Sequence, residues 1–242
     1  MPVKQPSRDG LARAVTIPIS YLNMCQTEGA SLQQGMNFRL RGRTSVILMS
    51  VQPGAPYADR VEEGGRVLVY EGHNQPRMKG GVEPSTLDQV LETPALTPTQ
   101  NGRFFEAARH HRDAHVAAER VRVYEKVRAG IWVYNGTFHL VDAWAKHINE
   151  RRVFKFRLDV TDDEPQGSDT TRLPLDQNRV IPTEVKLSVW KRDRGQCVQC
   201  GATDNLHFDH VIPYSRGGSS LVAENVQLLC ARHNLEKSDR IQ

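Results

Sequence analysis

Four side chains near the C-terminal end of the sequence have the types and the spacing of metal ligands. Two residues separate Cys197 from Cys200, two separate Cys230 from His233, and 29 residues lie between the two pairs. A two-residue gap lets a tight turn direct both donors at one ion, and a Cys3His set fills a tetrahedral zinc shell without an open position. The spacing therefore predicts a structural zinc ion. The alternative is two unrelated thiol turns in a reduced protein.

Between the two halves of this metal set lies a segment with catalytic potential. Residues 208–212 form a β-branched run ended by a proline, which predicts a strand with Asp209 and His210 at its end. A second strand is predicted at 225–229 and a short helix at 232–239. An imidazole with a pKa near neutrality can take a proton from water. The alternative for a histidine in such a strand is a core residue bonded to backbone.

The sequence from about 181 to 242 resembles the HNH, or ββα-metal, endonucleases, in the branch that is stapled by zinc. The resemblance implies that His210 is the general base and that Asp209 and Asn234 hold a catalytic divalent cation. It also implies that Asn225 braces the loop and the histidine. Carboxylate and amide oxygens are hard donors that suit magnesium or manganese, and the sequence leaves open which of the two ions is used.

Several basic or polar side chains are candidate DNA contacts. Five are predicted to touch phosphate, namely Arg39, Arg41, Arg43, Arg232 and Lys237. The first three alternate in a segment predicted to be extended, so they would project from one face. The alternative for all five is ordinary solvation. His207 shares the strand face of Asp209, and we assign it a structural or DNA-contacting role, with a competing zinc ligand as the alternative.

The upstream part of the chain is long enough for a second core and is predicted to be rich in strands. Runs of β-branched and aromatic residues, separated by Gly, Pro and Asn, predict strands at 44–51, 66–70, 119–124, 131–134 and 153–158. Helices are predicted at 104–115 and 140–148. The stretch 71–100, rich in Gly, Pro and Thr, is predicted to be a long loop.

Charge and composition divide the chain into parts. Residues 1–158 carry 22 Lys/Arg against 15 Asp/Glu, a net of +7, whereas residues 159–176 contain six acids and one arginine. We therefore predict two domains, at 1–160 and 181–242, joined by a solvated acidic linker at 161–180. The sequence contains neither an apolar run that could span a bilayer nor a hydrophobic N-terminal signal, which predicts a cytoplasmic protein.

Residues from about 29 to 158 resemble the SRA, or YDG, domains, which recognise cytosines modified at carbon five. The matching segments are the strand at 45–50, the loop with Tyr57 and Asp59, Val69-Tyr70-Glu71-Gly72, Tyr134-Asn135-Gly136, and the closing strand at 153–158. Asn135 departs from the family, which has aspartate there. The resemblance implies that Tyr57 and Tyr70 sandwich a flipped base while Asp59 accepts a hydrogen bond from its exocyclic amine. The alternatives are ordinary packing for the tyrosines and a turn cap for Asp59.

The two resemblances imply an α+β protein, in which an SRA-like twisted β-barrel or sheet with flanking helices precedes a small ββα-metal HNH domain with structural zinc. The implied function is a type IV, modification-dependent restriction endonuclease for foreign DNA that contains 5-methylcytosine or 5-hydroxymethylcytosine. Each HNH site nicks one strand, so a double-strand break favours a homodimer. The alternatives are a modified-DNA-binding protein that uses its HNH unit as a clamp, and a general nicking or repair endonuclease without modification dependence.

Overall fold

The described part of the protein combines a large sheet with short helices. The computed structural model describes residues 16–52, 54–128, 130–160, 180–212 and 218–237. Within these ranges the strands are β1 (Ile17–Ile19), β2 (Met36–Asn37), β3 (Ser45–Met49), β4 (Arg60–Glu62), β5 (Val67–Glu71), β6 (Glu119–Arg128), β7 (Ile131–Ile148), β8 (Arg151–Val160), β9 (Leu206–His210) and β10 (Val226–Cys230). The helices are α1 (Tyr21–Glu28), α2 (Gln100–Ala114), α3 (Thr183–Arg192) and α4 (Ala231–Lys237). The predicted α+β class is confirmed.

Strands β1 to β8 belong to one sheet. Its strand order is β2-β3-β6-β7-β8-β5-β4. Strand β1 also pairs with β7 but is not part of this order. Strands β3 and β6 are parallel, and the other paired strands are antiparallel. Helix α2 packs on the sheet through Phe104 and Ala108, which are fully buried. Each strand predicted for this part is present, and so are α2 and the long connection before it.

The helix predicted at 140–148 is wrong, because these residues continue strand β7. They pair with β8 as far as Ile148 opposite Arg151, and the register shifts between Leu140 and Asp142. Such a bulge inserts one extra residue, so the next buried side chain after Leu140 is Ala143, three positions later. A spacing of three between buried residues resembles the period of a helix, so this part of a strand has a helix-like pattern in the sequence.

The extended segment predicted for Arg39, Arg41 and Arg43 is also wrong. Residues Leu40–Gly42 form a 3-10 turn; Arg39, which precedes it, and Arg41, within it, have φ values of 44° and 50°. Left-handed backbone reverses the chain direction, so the three side chains do not share a strand face. Helix α1 was not predicted either. Its ends carry the expected signals, with the Ser20 hydroxyl accepting from the Asn23 N–H and Gly29 in a left-handed conformation.

Strands β9 and β10 and helix α4 form the predicted ββα unit. The two strands are antiparallel, with His210 opposite Val226 and Asp209 opposite Gln227. Helix α3, which was not predicted, packs its apolar side chains against this hairpin. The predicted linker lies outside the described residues except for Val180, so the domain limits stay a prediction. None of the described helices is long and apolar enough to cross a membrane.

Candidate functional sites

The four predicted zinc ligands come together at the base of the ββα unit. Their ligand atoms all lie within 4.8 Å of one another. His233 Nδ1 is 3.3 Å from Cys197 Sγ and 3.4 Å from Cys230 Sγ, and the Sγ atoms of Cys200 and Cys230 are 3.8 Å apart. A tetrahedral zinc ion would require edges of about 3.8 Å between sulfurs and about 3.5 Å between sulfur and nitrogen. The donor set therefore fits one ion of this kind.

The environment of Cys197 favours its metal-binding form. Burial raises the pKa of this thiol, but nearby backbone N–H groups, chiefly those of Cys230 and Gln199, and the His233 ring outweigh that effect and lower the pKa to about 6. The thiolate is the form that ligates metals. The turn at 197–202 thus presents a nucleophilic sulfur to the other ligands near neutral pH.

His210 is the last residue of β9 and faces a braced loop. It is 8% exposed, and its Nε2 atom lies 2.8 Å from the Ser220 hydroxyl. The Asn225 side chain accepts a hydrogen bond from the Ile212 N–H at 2.8 Å and donates to the carbonyls of Ile212 and Ser219. These are the contacts expected of a residue that holds the loop around the histidine.

A glycine is required where this loop folds back. A Cβ atom on Gly218 would lie 1.9 Å from the Ile212 carbonyl oxygen and 2.7 Å from Asn225 Nδ2. Neither neighbour can move away, because the two are hydrogen-bonded to each other. The tight approach therefore depends on the absence of a side chain at Gly218.

Asp209 and Asn234 have the properties expected of cation ligands. Asp209 is buried and its carboxylate pairs with Lys237 of α4. Asn234, three residues earlier on that helix, has a buried Oδ1 atom without a hydrogen-bond partner among the described residues. A buried acceptor of this kind usually has a partner, and a hard cation would supply one. The chemistry of these two donors thus fits a hard divalent cation.

Lys237 is buried, whereas a contact with DNA phosphate requires an exposed side chain. Its side chain is fully buried, and its ammonium donates to the Asp209 carboxylate and to the His210 carbonyl. A group enclosed in this way cannot reach a phosphate on the protein surface, so the predicted contact is corrected to a role inside the centre. His207 is buried too, and burial lowers its pKa, which supports a structural role. The other predicted contacts, Arg39, Arg41, Arg43 and Arg232, are exposed and stay predictions.

A second site is a cavity of about 690 Å³ in the large-sheet part of the protein. The three predicted pocket residues, Tyr57, Asp59 and Tyr70, all line it. Asp59 Oδ1 accepts a hydrogen bond from the Glu71 N–H at 3.0 Å, and Oδ2 accepts one from the Ser50 N–H at 3.2 Å. Burial raises the pKa of Asp59 to about 7. The structure thus holds a largely buried carboxyl group in an aromatic-lined cavity.

His73 is a pocket residue that was not predicted from the sequence. Its ring stacks on Tyr57, with centroids 5.4 Å apart and an interplanar angle of 18°, and its Nε2 atom lies 3.1 Å from the Tyr70 hydroxyl. A Cβ atom on Gly35 would lie 2.7 Å from this nitrogen, so a larger residue there would have to displace the His73 ring. His73 directly follows the segment Val69-Tyr70-Glu71-Gly72, and this position is the feature of the sequence that could identify it as a pocket residue.

The buried state of His73 predicts a loss of stability in acid. Burial lowers its pKa to about 4, from an ordinary value of 6.5, so the unfolded chain binds the proton more tightly. The part of the free energy of unfolding that depends on neutral His73 is present above pH 6.5 and is lost as the pH falls toward 4, by about 3 kcal/mol. Urea titrations across this pH range should show that the free energy of unfolding depends less on pH in His73→Gln than in the native protein. The same change at exposed His147 should leave it unaltered, and equal slopes in all three proteins would contradict the prediction.

Comparison with known family models identifies the C-terminal part of the chain. Residues 197–240 match the model of the HNH endonuclease family. Residues 197–240 therefore form an HNH endonuclease domain, as predicted. No curated protein matches the chain.

Several solved structures are similar to the chain at low sequence identity. One is the SUVH5 SRA domain with fully methylated CG DNA, with 22% identity, 66% of this chain and 95% of that chain covered, and a TM-score of 0.42. The same domain bound to fully hydroxymethylated CG DNA has 21% identity, the same coverage and a TM-score of 0.41. The modification-dependent TagI restriction endonuclease has 19% identity, covers 95% of this chain and 78% of its own, and has a TM-score of 0.38.

Proposed function

We propose that this protein is a modification-dependent DNA endonuclease that restricts foreign DNA containing 5-methylcytosine or 5-hydroxymethylcytosine. The observation that carries the proposal is the combination, in one chain, of an HNH endonuclease domain with an aromatic cavity that holds a buried carboxyl group. A base can reach such a cavity only after it leaves the duplex stack. The cavity would then select the base, while the HNH centre cuts the backbone.

The pocket chemistry suits a flipped cytosine. The cavity volume lies within the usual range for small-molecule pockets, which is about 300–1,000 Å³. Each oxygen of Asp59 accepts one backbone N–H, and because a carboxylate oxygen can accept two hydrogen bonds, an acceptor site remains for the exocyclic amine. Tyr57, half-buried, offers a ring face for stacking, whereas buried Tyr70 forms part of the wall beside His73.

The HNH residues divide the hydrolysis among them. His210, oriented by Ser220, takes the proton from the attacking water. Asp209 and Asn234 would hold a magnesium or manganese ion, which when bound stabilises the charge that develops on the phosphate. Lys237 holds the Asp209 carboxylate in place, and Asn225 holds the loop. Cys197, Cys200, Cys230 and His233 would bind structural zinc.

We further propose that two copies of the chain act together. One HNH centre cuts one strand, so two copies related by a two-fold axis would cut both strands of a duplex. The proposed domains are 1–160 for base recognition and 181–242 for cleavage, with 161–180 as the linker. DNA restriction would place the protein in the cytoplasm, where thiols remain reduced for zinc binding.

The proposal is tested by digesting matched plasmids that carry unmodified cytosine, 5-methylcytosine or 5-hydroxymethylcytosine, with magnesium or manganese. Cleavage confined to modified DNA is the expected result. Equal cleavage of all three plasmids would show a general endonuclease instead. Binding of modified DNA without any cleavage would show that the HNH domain serves only as a clamp.

Asp59→Ala should weaken the binding of DNA that contains modified cytosine. The variant loses the acceptor for the cytosine amine, and an unpaired buried polar group costs about 1–3 kcal/mol, which corresponds to about 10-fold to 100-fold in affinity. The measurement is the ratio of dissociation constants for one duplex with and without a modified cytosine, in metal-free buffer. Asp113→Ala, at an exposed position, is the matched control. A ratio that stays at the native value in Asp59→Ala would remove this residue from the pocket assignment.

A further inference from the structure

We propose that a buried ion pair between Lys186 and Glu125 fixes the HNH domain in one orientation relative to the base pocket, so that the cut falls at a set distance from the recognised base. The fixed distance of the cut rests on the proposed function, whereas the fixed orientation of the HNH domain rests on contacts alone. Lys186 belongs to α3, on the side of the HNH domain, whereas Glu125 belongs to β6 of the large sheet.

The pair has no access to solvent and its hydrogen bonds are provided by both parts of the protein. The side chains of Lys186 and Glu125 are both 0% exposed, and Lys186 Nζ lies 2.5 Å from Glu125 Oε2. Lys186 also donates to Asn135 Oδ1 at 2.8 Å, and Asn135 Nδ2 donates to Glu125 Oε2 at 2.8 Å. The Thr183 hydroxyl donates to the other Glu125 oxygen. Two charges buried in this way tolerate little displacement, because sliding would leave them without partners.

The side chain of Asn135 fits both charged partners of this network. Asn135 presents an acceptor to the ammonium of Lys186 and a donor to the carboxylate of Glu125 at the same time. An aspartate would keep the acceptor but would place a second negative charge against Glu125, without the N–H group. Asn135 is therefore suited to join the large sheet to the HNH domain.

The strands that contact the HNH domain also form a wall of the base pocket. Lys126 on β6 and Trp132 on β7 are register partners, and both line the cavity. The adjacent pair, Glu125 and Val133, must point to the opposite face of the sheet because side chains alternate along a strand. Val133 lies in the same apolar cluster as the HNH hairpin. One two-stranded ribbon thus carries the pocket on one face and the nuclease on the other.

Other contacts reinforce this junction. Val127 of β6 joins Val185 and Val189 of α3 in the apolar cluster. Phe208 of β9, two residues before His210, donates its N–H to the Thr16 carbonyl at 2.9 Å, and Thr16 directly precedes β1 of the large sheet. Apolar contacts resist separation but have no directional preference, whereas the ion pair has one. The catalytic strand is therefore held to the sheet at defined points.

The inference is tested first on the position of the cut. On a duplex with one modified cytosine, the native protein should cut at one or two phosphates, and Lys186→Met should cut over a wider range with a rate lower by about 10-fold, because small misplacements of reacting groups slow catalysis strongly. The matched control is Lys191→Met, the same substitution at an exposed position of the same helix. A purely structural role for Lys186 would lower the rate and leave the cut positions unchanged.

The second test does not require any nuclease activity. Spin labels introduced as noncanonical amino acids at Leu96 and Leu221, which are 78% and 54% exposed, report the separation of the two parts of the full-length chain. The native protein and Lys191→Met should give one narrow distance distribution, and Lys186→Met a broad one. Zinc content shows whether the HNH domain of each variant is folded.

Asn135→Asp provides a milder perturbation should Lys186→Met fail to bind zinc. It should broaden the same distance distribution by introducing a second carboxylate beside Glu125. A narrow distribution in zinc-loaded Lys186→Met or Asn135→Asp would overturn the inference. A different outcome is a narrow distribution in the native protein and a broad one in the variants, together with native cleavage of modified and unmodified DNA at equal rates. That outcome would support the fixed junction and overturn the proposed function.

Discussion

His210→Ala should lower the rate of DNA cleavage by about 10²-fold to 10⁴-fold, because a positioned general base contributes a factor of this size. The loss should appear in the single-turnover rate constant, since the imidazole acts on water in the transition state and does not hold the DNA. His210 is placed for this role at the end of β9, beside Ser220, on a loop that Asn225 braces. The affinity for modified DNA in metal-free buffer should stay at the native value, because the proposed recognition pocket lies in the other part of the chain.

The control for this experiment is His147→Ala, an exposed position on β7. It should cut at the native rate, so a loss confined to His210→Ala assigns the chemistry to the HNH centre. Cleavage by His210→Ala within a factor of about three of the native rate would remove His210 from the role of base. A parallel loss of DNA affinity would instead indicate that the substitution disturbs the fold, which zinc content and thermal unfolding would reveal.

Cys230→Ser should abolish zinc binding and unfold the HNH domain. Cys230 ends β10 and directly precedes α4, so its bond to an ion joins the hairpin and the helix to the turn that carries Cys197. Zinc contributes about 10–16 kcal/mol in small zinc domains, which exceeds the stability of a typical domain, and a chelator should therefore have the same effect as the substitution. The measurements are the zinc content per chain and hydrogen exchange of β9, β10 and α4.

Cys25→Ser tests whether this effect is specific to the metal set. Cys25 is half-buried on α1 and lies outside the cluster, so its replacement should leave one zinc ion per chain. Retention of one tightly bound zinc ion by Cys230→Ser, with native exchange rates in the hairpin, would refute the Cys3His assignment. Exchange in the core of the large sheet should change less, because most of that core is formed without the HNH domain.

The chemistry of the HNH domain could be predicted from the sequence because it is encoded locally. Two ligand pairs with two-residue gaps define a metal cluster, and Asp209 and His210 lie at the end of one strand of the hairpin between them. The pocket residues Tyr57, Asp59 and Tyr70 were found by resemblance to a family, and the structure places all three around one cavity. Their roles stay predictions.

The remaining features depend on contacts between distant parts of the chain. A bulge made 140–148 look helical, and only pairing with β8 shows it to be a strand. The basic character of Lys237 suggested a surface contact, yet packing of α4 on β9 encloses it beside Asp209. His73 enters the pocket through a stack with Tyr57, 16 residues earlier.

The sequence by itself determined which chemistry this protein carries, and the tertiary structure decided how its two sites are placed relative to each other. Ligand spacing and strand alternation operate over a few residues, so they can be read without a fold. The ion pair between Lys186 and Glu125 joins residues 61 positions apart, and neither residue has a local signal of its partner. Only the packing of α3 against β6 and β7 brings the two charges together. Once they are buried, each charge depends on the other, because a buried charge without a partner is strongly unfavourable.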